Sequence, residues 1–186
     1  MSQEKLLKYE NAKLKHQFIF NLPVSKAICG RQCPGCYALK AQVRFPNVVL
    51  PYRQRRYAAA LEDSFVSRIT KEITSSKRTL TAVRIHESGE FFSQAYLNKW
   101  LAIAEACPNT RFYAFTKRLK DFDFSKFMAM KNVVIIDSLM HSAINYGSAN
   151  SLLPNVFTCP CVGCGTTCKY CMTKQAQSEG IQFVAH

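Results

Sequence analysis

Eight of the nine cysteines fall into two tight groups, residues 29–36 and 159–171. Cys29, Cys33 and Cys36 form a C-x3-C-x2-C run, and three thiolates at that spacing can hold three corners of a [4Fe-4S] cluster and leave the fourth iron open to a ligand. Cys159, Cys161, Cys164, Cys168 and Cys171 put five cysteines into thirteen residues, with glycines that free the backbone to wrap an ion or cluster. Cys161/Cys164 and Cys168/Cys171 are two C-x2-C pairs suited to tetrahedral zinc, while Cys164, Cys168 and Cys171 repeat the iron–sulfur spacing. The late group therefore reads as a second iron–sulfur cluster or a zinc site. Eight clustered cysteines also equal two complete four-cysteine zinc sites, the reading in which metal only staples the chain. Cys107, alone at the end of an amphipathic stretch, reads as packing.

The elements that must position these groups alternate. Residues 16–22 read as a first strand, followed at once by the first cysteine loop; 80–85, 111–116 and 132–137 read as further strands, the last buried on both faces. Residues 155–158 and 180–185 supply a fifth and a sixth. Apolar Tyr57, Leu61, Phe65, Ile69 and Ile73 recur every four residues and predict one helix over 53–73. Ser93 caps a second, with Leu97, Trp100, Leu101 and Ala104 inward and Pro108 as its stop; a short helix spans 124–130. This is the βαβ rhythm of a parallel sheet, open and twisted or closed into a partial barrel. In either, ligands bind outside the carboxyl ends of the strands. The first cysteine loop, Ser88-Gly89-Glu90, Thr116-Lys117 and Asp137-Ser138 all follow strand ends and should share that edge. His86 and Glu87, beside it with Arg84, are the candidate catalytic residues, His86 for proton transfer or substrate contact.

With 186 residues, 48% of them hydrophobic, the chain reads as a single α/β domain over 1–186. The N-terminal residues lack the apolar stretch of a signal peptide, and no run is long enough to cross a bilayer, so a cytoplasmic protein without a membrane partner is expected. In that compartment thiols stay reduced, which favours metal ligands over disulfides. A net charge of +13 favours phosphate-rich partners. Arg44, Arg53, Arg55 and Arg56, interleaved with Phe45, Tyr52 and Tyr57, form the densest basic-aromatic segment and a candidate surface for nucleic acid. No Walker loop, G-x-S-x-G or H-E-x-x-H is present, which removes support from the common hydrolase classes.

Two resemblances follow from these motifs. Cys29-x3-Cys33-x2-Cys36 after a first strand, with Ser88-Gly89-Glu90 after the second, resembles the radical S-adenosylmethionine (radical SAM) enzymes. Gly35 stands where that family usually has an aromatic residue, and Ser88 where it has a first glycine. The resemblance implies a compact partial barrel with a C-terminal cysteine-rich metal-binding segment, and a [4Fe-4S] cluster on Cys29, Cys33 and Cys36. It also implies that S-adenosylmethionine is chelated at the open iron and cleaved to a 5′-deoxyadenosyl radical. Ser88, Gly89 and Glu90 would then lie near the methionine part; by their own chemistry Thr116, Lys117 and Arg118, at a strand end, are suited to a carboxylate or phosphate. Cys36-Tyr-Ala-Leu-Lys40, Arg44-Phe-Pro-Asn47, residues 83–93, Phe112-Tyr-Ala-Phe-Thr-Lys117 and the late cysteines before Phe183-x-x-His186 are similar to the phage gene-product-eighty-eight family over residues 29–186. That likeness implies a viral or mobile-element origin, with the host cytoplasm as the location if viral, and supplies no activity. The expectation is an iron–sulfur enzyme acting on a nucleotide or nucleic acid. The alternatives are a non-catalytic metal-stapled protein that contacts nucleic acid, and one that contacts a host protein.

Overall fold

The computed structural model describes residues 4–31, 33, 35–138, 157–159, 164, 166–179 and 181–183. Expectations that fall on residues 139–156, on Cys161 and on His186 lie outside them. The chain is a mixed α/β protein built on a five-stranded sheet in the sequential order β1 (Lys8–Tyr9), β2 (Gln17–Phe20), β3 (Ala82–Ile85), β4 (Phe112–Thr116), β5 (Val133–Asp137). β1 is antiparallel to β2; the other three pairings are parallel. Every residue of β2 and β5 is buried, polar Gln17 and Asp137 included, and residues 18–20 and 133–136 read as apolar runs because a parallel strand has cover on both faces. The two-residue β1 has no period to read and was not foreseen.

One face carries the helices. Phe18, Phe20, Val83, Ile85, Phe112, Ala114, Val133 and Ile135 meet residues of α3 (Pro46–Leu61), α4 (Phe65–Thr74), α5 (Gln94–Ala106) and α6 (Ser125–Ala129) in one core. Phe20, Phe65 and Trp100 interlock edge to face at its centre. Ser93 caps α5 as expected, its Oγ accepting from the Tyr96 N–H at 3.1 Å. Strands in sequential order with their crossovers on one side follow from right-handed βαβ connections all made in one direction.

The single helix expected over 53–73 is two. α3 ends at Leu61, Glu62 is extended, and α4 starts at Phe65. Apolar residues spaced by four drift roughly 40° per step against a 3.6-residue turn, so five of them cannot stay on one face. The break lets Phe65, Ile69 and Ile73 face the core while Leu61 stays exposed. A further helix, α2 (Tyr37–Arg44), begins at Cys36 and was not anticipated.

The opposite face, with Ala82, Tyr113, Val134 and Ile136, is covered by the late segment through Cys159, Met172, Ala176 and Ile181. The expected fifth and sixth strands do not extend the main sheet. β6 (Thr158–Cys159) and β7 (Gln182–Phe183) pair with each other, in parallel, as a separate two-stranded sheet. Between them lie a 3-10 turn at Tyr170–Met172 and α7 (Lys174–Glu179). Crossing the sheet face buries the apolar residues of this segment, which a sixth edge position would have left half open.

Candidate metal and cofactor site

Three strand ends are lashed together at the carboxyl edge of the sheet. After β2, Ser25 caps the one-turn helix α1 (Lys26–Cys29), accepting from the Ile28 N–H at 3.2 Å, and Gly30 ends it at φ +72. A side chain at Gly30 would strike the Arg118 guanidinium, 2.7 Å from an ideal Cβ. Cys29 is thereby buried, Cys33 is half-buried, and the Cys36 N–H donates to the Cys33 carbonyl at 3.3 Å before α2 begins.

After β3 the backbone turns sharply. Asn21 Oδ1 accepts from the Glu87 and Ser88 N–H groups at 2.9 and 3.0 Å, and Ser88 Oγ donates to the Leu22 carbonyl at 3.0 Å. Gly89, at φ +81, lies so close to Leu22 that a Cβ would sit 2.5 Å from the leucine Cβ. Only glycine lets the turn press against the start of the cysteine loop. Ser88 is buried and uses its hydroxyl to tie the two strand ends.

Glu90 joins this turn to the end of β4. Its carboxylate accepts from Thr116 Oγ1 at 2.8 Å and the Lys117 N–H at 2.9 Å. Lys117 then reaches across the edge and donates from Nζ to Cys33 Sγ at 3.1 Å. Arg118 donates to the Ile28 carbonyl at 3.1 Å, and Arg31 to the Lys117 carbonyl at 3.4 Å. The residues after β2, β3 and β4 expected to share an edge do so.

Burial pushes the Cys29 thiol up, and the adjacent Glu90, Cys36 and Cys33 add to the rise. The three cysteines and the carboxylate are thus electrostatic neighbours. A thiol raised like that of Cys29 needs a cation to become a ligand, and metal binding supplies one by displacing its proton. Burial also raises the Glu90 carboxyl, against the opposing effect of the Thr116 and Lys117 donors. Three thiols on one loop, one of them accepting from an ammonium, are the donor chemistry of a cluster held by three cysteines. Among the described residues, no group of three or more His, Cys, Asp or Glu side chains closes on an ion-sized position. The loop is a set of neighbouring donors rather than a finished cage.

The candidate catalytic pair lies differently from the reading of the sequence. His86 adopts φ +61 and turns into the helix-side core, 3% exposed. Its ring packs on Phe91 and Tyr96, Nε2 shares a 2.8 Å hydrogen bond with the Tyr96 hydroxyl, and burial pushes its pKa down to about 3. It is a neutral core residue and does not face the edge. Glu87 accepts from Asn11 Nδ2 at 2.8 Å and Asn21 Nδ2 at 3.4 Å, and its carbonyl accepts from the Tyr37 hydroxyl. Its carboxylate holds loops together. Asn21, Tyr37 and Arg31 were missed; each acts through a partner more than 40 residues away, which no local pattern encodes.

The late cysteines sit on the sheet's other face. Cys164 and Cys168 form a parallel bridge, Cys171 lies in the 3-10 turn, and the Lys15 N–H donates to the Cys164 carbonyl at 3.1 Å. Burial pushes the Cys171 thiol up to about 11, with nearby Arg84 opposing and Cys164 and Cys168 adding. Arg84 itself lies 4.3 Å from the Phe115 ring centre and 5.0 Å from that of Tyr113.

Fold and edge together define an α/β protein with a thiol-rich site at the carboxyl ends of parallel strands. The chain belongs to the Gene product 88 family, whose pattern it matches over residues 2–150. The match takes in β1 and β2 as well as the first cysteine loop, and it ends before the late cysteines, so it is displaced toward the N-terminus from the 29–186 expected. No curated protein and no solved structure matches the chain. No helix among the described residues is long and apolar enough to cross a membrane.

Proposed function

We propose that the chain is an iron–sulfur protein of viral type in which Cys29, Cys33 and Cys36 hold a [4Fe-4S] cluster, and that it is a radical-SAM-like enzyme on a compact partial barrel. The observation that carries this reading is the meeting of the cysteine loop, the Ser88–Glu90 turn and Thr116-Lys117 at one sheet edge, with Lys117 donating to Cys33. Bound there, a cluster with an open iron and S-adenosylmethionine would supply one-electron cleavage of a carbon–sulfur bond. The chain's own residues would do the positioning. Gly89 removes the side chain that would keep the second turn from the loop. Glu90 fixes the Thr116-Lys117 turn, and Lys117 gives a hydrogen bond to one sulfur, a lever on cluster potential. A nucleotide or nucleic acid is the proposed substrate class.

The test is iron, zinc and sulfide analysis of protein purified without oxygen, beside the Cys33→Ala variant. About four irons with matching sulfide, lost in the variant, are expected of a single such cluster. Zinc without sulfide would sink the reading. It would leave the second one, a metal-stapled binding protein, which the packing of Cys159 and Cys171 against the sheet face favours.

A further inference from the structure

Residues 11–61 contain nine lysines and arginines and not one aspartate or glutamate. The structure divides these cations by role. Arg53 donates to the Ala38 carbonyl at 2.9 Å and to Gln42 Oε1 at 3.2 Å. Arg56 donates to the carbonyls of Leu6, Lys5 and Tyr52 at 2.8, 3.0 and 3.1 Å. Both are buried and tie α3 to its neighbours, so the basic-aromatic segment read from the sequence loses half its arginines to the interior. Lys40 and Arg44, one helical turn apart on α2, are exposed.

Around them the surface is apolar. Five large hydrophobic side chains are exposed among the described residues, and four fall within residues 37–48: Tyr37 (61%), Val43 (71%), Phe45 (52%) and Val48 (72%). Arg44 lies 5.4 Å from the Phe45 ring centre. An open groove of about 740 Å³, lined by Leu39, Lys40, Val43 and Arg44, leads to Cys33 and Cys36. Clustered exposed apolar side chains mark a binding surface, and the exposed Lys40 and Arg44 beside them, on a stretch of chain without an aspartate or glutamate, favour a polyanion.

We propose that this face of α2 and the start of α3 binds single-stranded nucleic acid, with phosphates on Lys40 and Arg44 and bases against Phe45, Tyr37 and the valines. Arginine and lysine interleaved with exposed aromatic faces match a strand whose bases are unstacked and free, whereas a duplex keeps its base faces covered. The groove would lead one nucleotide toward the cysteine loop. In that last respect the proposal rests on the iron–sulfur reading; the binding itself does not.

The experiment is fluorescence anisotropy with an end-labelled oligonucleotide of about 12 residues, a typical single-strand site size. The as-purified full-length protein is used, with iron measured on the same samples. Affinity should fall steeply between about 50 and 200 mM salt. The double substitution Lys40→Glu/Arg44→Glu should weaken binding by about tenfold or more, with a shallower salt slope. Phe45→Ala should weaken it by about fivefold or more through lost stacking. Arg55→Glu, on the exposed side of α3 against Glu4, should change it by less than about twofold. The milder pair Lys40→Gln/Arg44→Gln, checked by circular dichroism, should fall between, which separates lost contacts from lost fold. No binding at low salt, or equal loss in Arg55→Glu, would overturn the proposal. So would capture by anionic phospholipid vesicles with none of the oligonucleotide. Cys33→Ala protein that has lost its iron but binds the strand unchanged would uphold the surface while removing its link to the cluster.

Discussion

Cys29–Cys36 and Cys164–Cys171 carry the same C-x3-C-x2-C spacing, yet the sheet treats them in opposite ways. β2 delivers the first set to the ends of parallel strands, where Cys33 and Cys36 border an open groove and Lys117 reaches a sulfur. The late set lies at the opposite face of the same sheet, where Cys171 packs against the cluster of Tyr113, Val134 and Ile136 with Arg84 as the adjacent cation. Strand ends give a crevice; a sheet face gives an apolar floor, and Cys164, Cys168 and Cys171 on it are half-buried, as Cys33 and Cys36 are at the edge. Identical spacing therefore stands in two different surroundings, and the family match, which ends at residue 150, covers only the first.

β3 serves both regions, since Arg84 faces the late segment and the His86–Glu90 turn feeds the edge, so substitutions along it separate them. The largest effect is expected from His86. Its native pKa of about 3, against an ordinary 6.5, means that the unfolded chain takes up a proton the native state refuses. Stability is intact above pH 6.5 and is lost as pH falls toward 3, by about 5 kcal/mol. Urea unfolding across this range should show that slope, and His86→Asn, less stable at neutral pH, should lack it. A full acid slope in the variant would return the ring to the accessible edge.

Met172→Ala tests the staple. The side chain is 4% exposed within the late core, and its loss should cost about 2–4 kcal/mol while leaving the iron content of the first loop unchanged. Iron lost in step with stability would mean that the two regions are one unit. Glu90→Ala should cost about 2 kcal/mol, because Thr116 and the Lys117 N–H lose their acceptor. Its pH signature runs opposite to that of His86. A carboxyl raised by burial stays protonated longer in the native state, so its stabilising contribution is present below its ordinary 4.5 and is lost as pH rises through the raised value. Glu90→Gln should flatten that fall in urea midpoints.

Arg84→Met removes a cation near two aromatic rings and should cost about 1 kcal/mol, measured by urea unfolding. Lys117→Met should alter stability by less than about 0.5 kcal/mol. Its effect belongs to the sulfur, read as a changed alkylation rate of Cys33 in metal-free protein. An unchanged rate would leave Lys117 a bystander and erase the contrast between the two cysteine groups.

Strand positions were legible because parallel strands buried on both faces leave apolar runs, and the shared edge was legible because each motif follows such a run. The Ser93 cap and the α5 stripe were readable from local spacing. The division of 53–73 into two helices was not: a four-residue repeat looks helical, and only its angular drift, paid out against a real core, decides where the chain must break.

The sequence by itself determined the thiol spacings, the alternation of strands and helices, the family and the meeting of motifs at one edge, because each is written in neighbouring residues. Tertiary structure decided what those residues do. It turned His86 inward at φ +61, took Arg53 and Arg56 into the interior and aimed Lys117 at Cys33 across 84 positions of chain. It also set the late cysteines over a face instead of an edge. A polar side chain is fixed by whichever distant donor, acceptor or apolar wall arrives beside it, and that arrival is a property of the folded chain.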